Sequence, residues 1–303
     1  MWKILHKGCC LGRVLGQITG HPLNRKRKML AVLRFVWWQV YSRLVGRPVV
    51  MSWIKGSRFF ARTGEHSMTV NIYNGLHEFE DMTYVLHVLS SDDLFVDIGA
   101  NAGSYSILAA GVCGARVIAF EPIPETYERL RKNMALNHLE QRVECHNMAL
   151  GAHAEELVLT GSQDCMNHVL ADAEYAATTV RIQADTLDSM MGSSRPFMLK
   201  MDVEGFEWNV LQGAQAVLRQ PTLQAILVEI NSGAERYGVT GAKITALLVD
   251  HGFMPYRYHP ETRDFEMLSG PNTTGNTLFI RDIEEVHRRV KSAVSFCVHG
   301  VCF

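Results

Sequence analysis

Phe95-Val96-Asp97-Ile98-Gly99-Ala100-Asn101-Ala102-Gly103, followed one strand later by Ala119-Phe120-Glu121-Pro122, is the stretch that decides how this chain folds. Phe95 to Ile98 is a short apolar run suited to a buried parallel strand. Gly99 and Gly103 let the backbone turn tightly and come close to a ligand, where a Cβ would be in the way. Ser104 to Ala110 restart as a helix, with Tyr105, Leu108 and Ala109 at helical spacing. The next strand, Ala115 to Phe120, ends on Glu121, which is placed to accept hydrogen bonds from ribose hydroxyls. A nucleoside-bearing cofactor is therefore expected, held by Asp97, Gly99, Asn101, Gly103 and Glu121.

Spacing chooses the cofactor. A dinucleotide fingerprint needs its glycines in the order G-x-G-x-x-G, so that a pyrophosphate rests on the helix N-terminus. Here the order is Asp97-x-Gly99-x-Asn101-x-Gly103. The acid before the first glycine repels a pyrophosphate and suits the cationic amino-acid end of S-adenosylmethionine. Asp97 is expected to hold that ammonium and Glu121 the ribose. A nicotinamide oxidoreductase is the competing enzyme, opposed by Asn101 where the second glycine belongs. A protein that kept the cofactor site and lost turnover is the competing non-enzyme.

Strands and helices alternate beyond this point, which predicts an α/β fold with a doubly wound, mostly parallel sheet. Further strands are expected at Val143–Asn147, Phe197–Met201, Leu223–Ile230, Phe253–Tyr258 and Asn276–Arg281, with a short one at Glu266–Leu268. Residues 151–185 read as irregular, with weak strands at Leu157–Leu159 and Thr179–Ile182. Upstream, a helix from Lys28 to Leu44 ends at Gly46-Arg47-Pro48. A strand pair, Val49–Ile54 with Met68–Tyr73, precedes a helix at Glu78–Leu89. The expected organisation is a basic N-terminal region over 1–64, a catalytic domain over 65–282 and a tail over 283–303.

With these motifs in order, the chain resembles the FkbM family of S-adenosylmethionine-dependent methyltransferases. The likeness covers about residues 70 to 282. It rests on Phe95–Ser106, Ala119–Pro124, Asn133-x-x-x-Asn137, Asn147-Met148-Ala149-Leu150-Gly151, Lys200-Met201-Asp202-Val203-Glu204-Gly205-Phe206-Glu207 and Val228–Asn231. It implies a class I methyltransferase (Rossmann-like) fold with an antiparallel last strand, and usually O-methylation of a hydroxyl on a sugar or natural product. Asn147 and Ala149 join the expected cofactor contacts. The acceptor is expected to be a glycan, glycolipid or secondary metabolite, with N- and C-methylation left open.

Ligands of open α/β sheets lie at the carboxyl ends of the strands. That rule gathers Asp97, Glu121, Asn147, Asp202, Glu204, Glu229 and Asn231 at one rim. Asp202 is expected at the methionyl end and the reaction centre, and Glu204 as base or substrate anchor. The competing role for both is capping of the following helix. Lys200, inside the apolar run Phe197–Met201, needs an acidic partner. Glu78 is expected either near the methionine ammonium or as a helix cap. Asp202, Glu229 and Asn231 loosely resemble the oxygen ligands of catechol-type Mg²⁺ methyltransferases, but the spacing differs and no metal is expected. His168 is expected at the surface, the competing reading being that it faces the pocket as a base.

The seven cysteines are scattered without a C-x-x-C pair, so reduced thiols and a cytoplasmic location are expected. Thirteen Lys and Arg fall within residues 1–64, where there is no Asp or Glu, leaving 17 basic against 31 acidic residues in the rest. Such asymmetry points to an anionic partner. Interleaved aromatics for nucleic-acid stacking are absent from the core, so no nucleic acid is expected. With no membrane span or signal peptide in the pattern, the N-terminal region is expected to rest peripherally on the inner face of an anionic membrane. Alternatively, its stripe of Leu30, Leu33, Trp37 and Leu44 packs on the protein's own domain.

Overall fold

The computed structural model describes residues 12–65, 68–161, 167–171, 176, 178–272 and 275–303. Cys9, Cys10 and Cys165 lie outside them. Lys28–Val45 forms helix α1, which stops at Gly46 in the left-handed region at φ 64°. Val49–Ser52 (β1) pairs antiparallel with Arg58–Ala61 (β2). The expected strand at Met68–Tyr73 does not form, because Val70–Asn74 is a short helix, α2. Its β-branched residues signal a strand, yet Asn71 to Asn74 are all buried, so no alternation is imposed. The Tyr73 carbonyl accepts instead from the Asn24 side chain (3.0 Å). Phe79–Val88 is helix α3.

The main sheet begins with Leu94–Ile98 (β3), Arg116–Phe120 (β4) and Val143–His146 (β5). Ser104–Ser106 (α4) continues as a π-helical turn to Val112, and Pro124–Leu136 is α5. Ala149–Leu150 (β6), Glu155–Thr160 (β7) and Thr179–Asp185 (β8) make a separate three-stranded sheet where the sequence shows only weak strands. Leu187–Met191 is α6, Met198–Met201 is β9, and Glu207–Gln212 and Gln215–Leu218 are α7 and α8. The chain continues through Ala225–Glu229 (β10), Gly241–Asp250 (α9), Met254–His259 (β11), Asp264–Met267 (β12) and Asn276–Ile280 (β13).

The order across the eight strands is β12-β11-β13-β10-β9-β3-β4-β5. Strands β5, β4, β3, β9 and β10 run parallel, while β13 is antiparallel to both β10 and β11. This is the doubly wound class I arrangement with its antiparallel last strand. Side-chain alternation sends Val96 and Ile98 to one apolar cluster and Phe95 to the other, so both faces are covered. The carboxyl ends of β3, β4, β9 and β10 consequently share one rim.

The Asn133-x-x-x-Asn137 spacing acquires a purpose here. Asn133 accepts from the Phe60 N–H (2.8 Å) and donates to the Ala102 carbonyl (2.7 Å). One turn on, Asn137 accepts from the Arg58 N–H and donates to the Arg58 carbonyl, both at 2.7 Å. Together they fasten β2 to α5 and to the glycine loop.

After Ile283–Ser292 (α10), Cys297–Val298 (β14) and Val301–Cys302 (β15) close a hairpin whose turn residues His299 and Gly300 both have positive φ. That register sets Cys297 against Cys302, and the two form a disulfide. The expectation of reduced thiols throughout is thus corrected, since a pairing set by a hairpin leaves no C-x-x-C signature. Cys113 and Cys145 are free, and burial pushes their thiols up to about 12 and about 11. The His299 carbonyl accepts from Arg27 (3.0 Å), so tail and N-terminal region pack together. Among the described residues, no helix is long and apolar enough to cross a membrane.

Candidate active site

A cavity of about 320 Å³ lies at the shared strand rim, lined by residues that follow β3, β4, β9 and β10. Its size suits a small-molecule ligand. The glycines around it serve mainly to bring loops together. Gly99 has φ 75°, and a Cβ on it would overlap the Asp202 carbonyl oxygen. Gly103, at φ 89°, is off the wall, and a Cβ there would press on Leu130 and Met134 of α5. Asn101 takes a φ of 50°, which asparagine tolerates better than most residues.

Glu121 organises one part of the wall. Its two carboxylate oxygens accept from the N–H groups of Asn101 and Ile123, each at 2.9 Å. Burial pushes the carboxyl up to about 7 against those hydrogen bonds. Asn147 does not reach the cavity. Its amide donates to the carbonyls of Glu121 and Pro122, both at 2.9 Å, and clasps the turn from outside. Met148 and Ala149 do line the cavity.

Asp97 is fully buried and lies behind the wall. It accepts from the Ser106 hydroxyl (2.7 Å) and is in register with Lys200 on the neighbouring strand. Lys200 is itself buried, with its ammonium 3.2 Å from Asp202 and over the Tyr105 ring. Burial opposes its charge, but Asp202, Asp97 and Glu78 outweigh that and hold its pKa above the ordinary lysine range. The acidic partner that the sequence demands for Lys200 is therefore present.

Glu78 stands at the start of α3 but makes no cap hydrogen bond and lines the cavity instead. It accepts from the Tyr105 hydroxyl (2.7 Å) and the Asn276 amide (3.2 Å), with His77 at 3.3 Å. Burial alone would raise its carboxyl, but His77 and Lys200 hold it low, at about 2. Burial and the Glu78 charge push the adjacent Asp81 up to about 8.

The Asp202–Glu207 turn carries the third group. Gly205 has φ 102°, and a Cβ there would overlap the backbone of Gly233, so the loops after β9 and β10 touch. Glu204 is in the left-handed region at φ 55°. It does not cap α7. Glu207, the first residue of that helix, reaches back into the turn instead, accepting from the N–H groups of Val203 (3.3 Å) and Gly205 (3.1 Å). Oxygens of Asp202, Glu204 and Glu229 lie within 4.8 Å of one another, close enough to share a hard cation such as Mg²⁺. Burial, then the charges of Asp202 and Glu229, push Glu204 up to about 8, and burial and Asp202 push Glu229 to about 7.

Four of the seven acids and amides expected at the rim thus line the cavity: Glu121, Asp202, Glu204 and Glu229. Asp97 and Asn147 turn away, and Asn231 accepts from the Gly233 N–H (2.7 Å) to cap a short 3-10 helix. His168 corrects another expectation. It is buried on the cavity wall beside Val169, because the Thr160 hydroxyl holds its N–H at 3.1 Å. His77, Tyr105, Met148 and Phe206 also line the cavity; the last three lie inside the motif segments without a site role assigned to them there, and His77 lies outside those segments.

Residues 97–255 match the methyltransferase FkbM domain. Among similar proteins, the hexuronic acid methyltransferase AglP of Haloferax volcanii is 26% identical over 185 residues, covering 61% of this chain and 74% of that protein. Methyltransferase sdnD of Sordaria araneosa is 28% identical over 209 residues, covering 58% and 79% respectively. Methyltransferase 1 of Beauveria bassiana is 27% identical over 159 residues, covering 45% and 64%. The domain match spans more than half of the chain and every strand end that builds the cavity, and the chain belongs to the FkbM methyltransferase family.

Proposed function

We propose that this protein transfers a methyl group from S-adenosylmethionine to a hydroxyl oxygen, with a sugar or glycan as the favoured acceptor. The observation that carries the reading is one cavity with two differently equipped carboxylate sets. Glu121, preorganised by two backbone N–H groups, keeps acceptor capacity for ribose hydroxyls. Glu78, held ionised beside Tyr105, suits the methionyl ammonium. Asp97 then acts from behind the wall, through Lys200 and Ser106, rather than by contact. The apolar Met148, Ala149 and Leu150 suit the adenine.

Methyl transfer is an in-line displacement in which the hydroxyl oxygen attacks the methyl carbon, the carbon–sulfur bond breaks and the sulfonium charge disappears. Alignment and water exclusion supply much of the rate, worth about 7–11 kcal/mol for well-oriented reactants. An alcohol is a weak nucleophile, so its proton needs an acceptor. Among the described residues the Glu204 carboxyl receives no hydrogen bond or ion pair, and it lines the cavity beside Asp202. It is the proposed base. The hexuronic acid named for one relative supports a sugar acceptor.

Calorimetry tests the cofactor half. The protein is expected to bind S-adenosylmethionine and not NAD, and Glu121→Gln to weaken binding by about 1.5–3 kcal/mol, the cost of a lost charge-assisted hydrogen bond. Unchanged affinity in that variant sinks the ribose assignment. Labelled S-adenosylmethionine offered with a panel of uronic acid and hexose glycans tests the acceptor.

A further inference from the structure

We propose that the outward face of α1 is a docking surface for an anionic lipid bilayer, on which the protein lies peripherally. The helix turns only Ala31, Trp38 and Ser42 fully inward, with Phe35 edge-on to Tyr73 at 5.4 Å. Its solvent side carries Met29, Leu30, Leu33, Val36, Trp37, Val40 and Leu44. Exposures there reach 79% for Met29 and 81% for Leu44. These are seven of the twelve exposed large hydrophobic side chains among the described residues, and the other five are scattered. At about 100° per residue the seven share roughly a third of the helix circumference, with no charge between them. Packing of this stripe on the protein's own domain is therefore not what the fold uses.

A contiguous exposed apolar patch of this kind marks an interaction surface. What borders it identifies the partner. Exposed Arg25, Lys26, Arg27 and Lys28 stand at one end, Arg43 and Arg47 at the other, and no acid occurs before Glu65. Trp37, stacked on Tyr41 at 4.8 Å, supplies the aromatic body that favours a membrane–water interface. A basic helix with an apolar face and interfacial tryptophan lies in the plane of a bilayer. A second copy would set the same basic margin against itself, which charge opposes. Anionic headgroups complement both the apolar face and its border.

Co-sedimentation of the full-length protein decides the matter, using phosphatidylcholine vesicles with and without phosphatidylglycerol. Binding is expected at low salt to the anionic vesicles, at least about tenfold stronger than to neutral ones, and reversed by high salt. Trp37 emission should shift to the blue, and Trp37→Phe should remove that shift. Leu33→Ser/Val40→Ser/Leu44→Ser, and separately Arg25→Ala/Lys26→Ala/Lys28→Ala, should each abolish binding while leaving the urea unfolding midpoint unchanged. Failure of the full-length protein to bind anionic vesicles at low salt overturns the proposal. So does binding that survives the serine variant, or a dimer in sedimentation equilibrium that the serine variant dissolves.

Discussion

Glu204→Gln is expected to lower kcat by about 10²–10⁴-fold, the usual contribution of a positioned base, while S-adenosylmethionine affinity stays near wild type. Glutamine keeps the size and hydrogen-bonding edge of the side chain and removes only its ability to take the proton. In the wild type, kcat should climb with pH through about 8, because Glu204 acts only when ionised and burial with Asp202 and Glu229 holds it protonated below that. The stability consequence has the opposite sign. A carboxyl raised from the ordinary 4.5 to about 8 costs folding free energy progressively across that interval. The Gln variant should therefore match the wild type near pH 4 and resist urea better above pH 8. Retained activity, with a lower melting temperature, would remove Glu204 from the chemistry.

Lys200→Met should cost about 3–5 kcal/mol of unfolding free energy, the penalty for removing one partner from a buried ion pair. Its ammonium is the cation facing Asp97 in register and Asp202 at 3.2 Å, and it also lowers the Glu78 carboxyl. Without it, three acids crowd a poorly hydrated wall. Adding Asp97→Asn should restore part of the loss, since the fully buried acid no longer lacks a counter-charge, and the two substitutions should be non-additive. Urea unfolding of the single and double variants measures this. A single variant within about 0.5 kcal/mol of wild type would show that the pair contributes no more than a surface contact.

Local signals account for what the sequence disclosed. The apolar runs, the glycine loop and the acids at strand ends gave the parallel sheet and its ligand-bearing rim, because each depends on neighbours within a few residues. Strand Met68–Tyr73 misled, since β-branched residues buried on every side look alike in a strand and a short helix. At the Asp202–Glu207 turn the sequence leaves Glu204 between base and helix cap; in the fold Glu204 has a positive φ and lines the cavity, while Glu207 holds the N–H groups of the turn. His168 and the Cys297–Cys302 disulfide depend on β7, β8 and a terminal hairpin whose register no short motif announces. Asp97 shows the reverse case: its pattern is conspicuous, and its position is one layer behind the wall.

The contacts at Gly99 and Gly205 have a practical consequence for altering this protein. Backbone meets backbone at both places, so the loops after β3, β9 and β10 form one block with no slack for larger side chains. Any diversification of the acceptor must come from elsewhere. Leu159, Asn167, His168 and Val169 line the same cavity from β7 and the segment bridged to it, away from those two glycine contacts. A substitution library confined to those four positions should change which acceptor is methylated while sparing the cofactor, whereas a library at the rim should mostly yield unfolded protein.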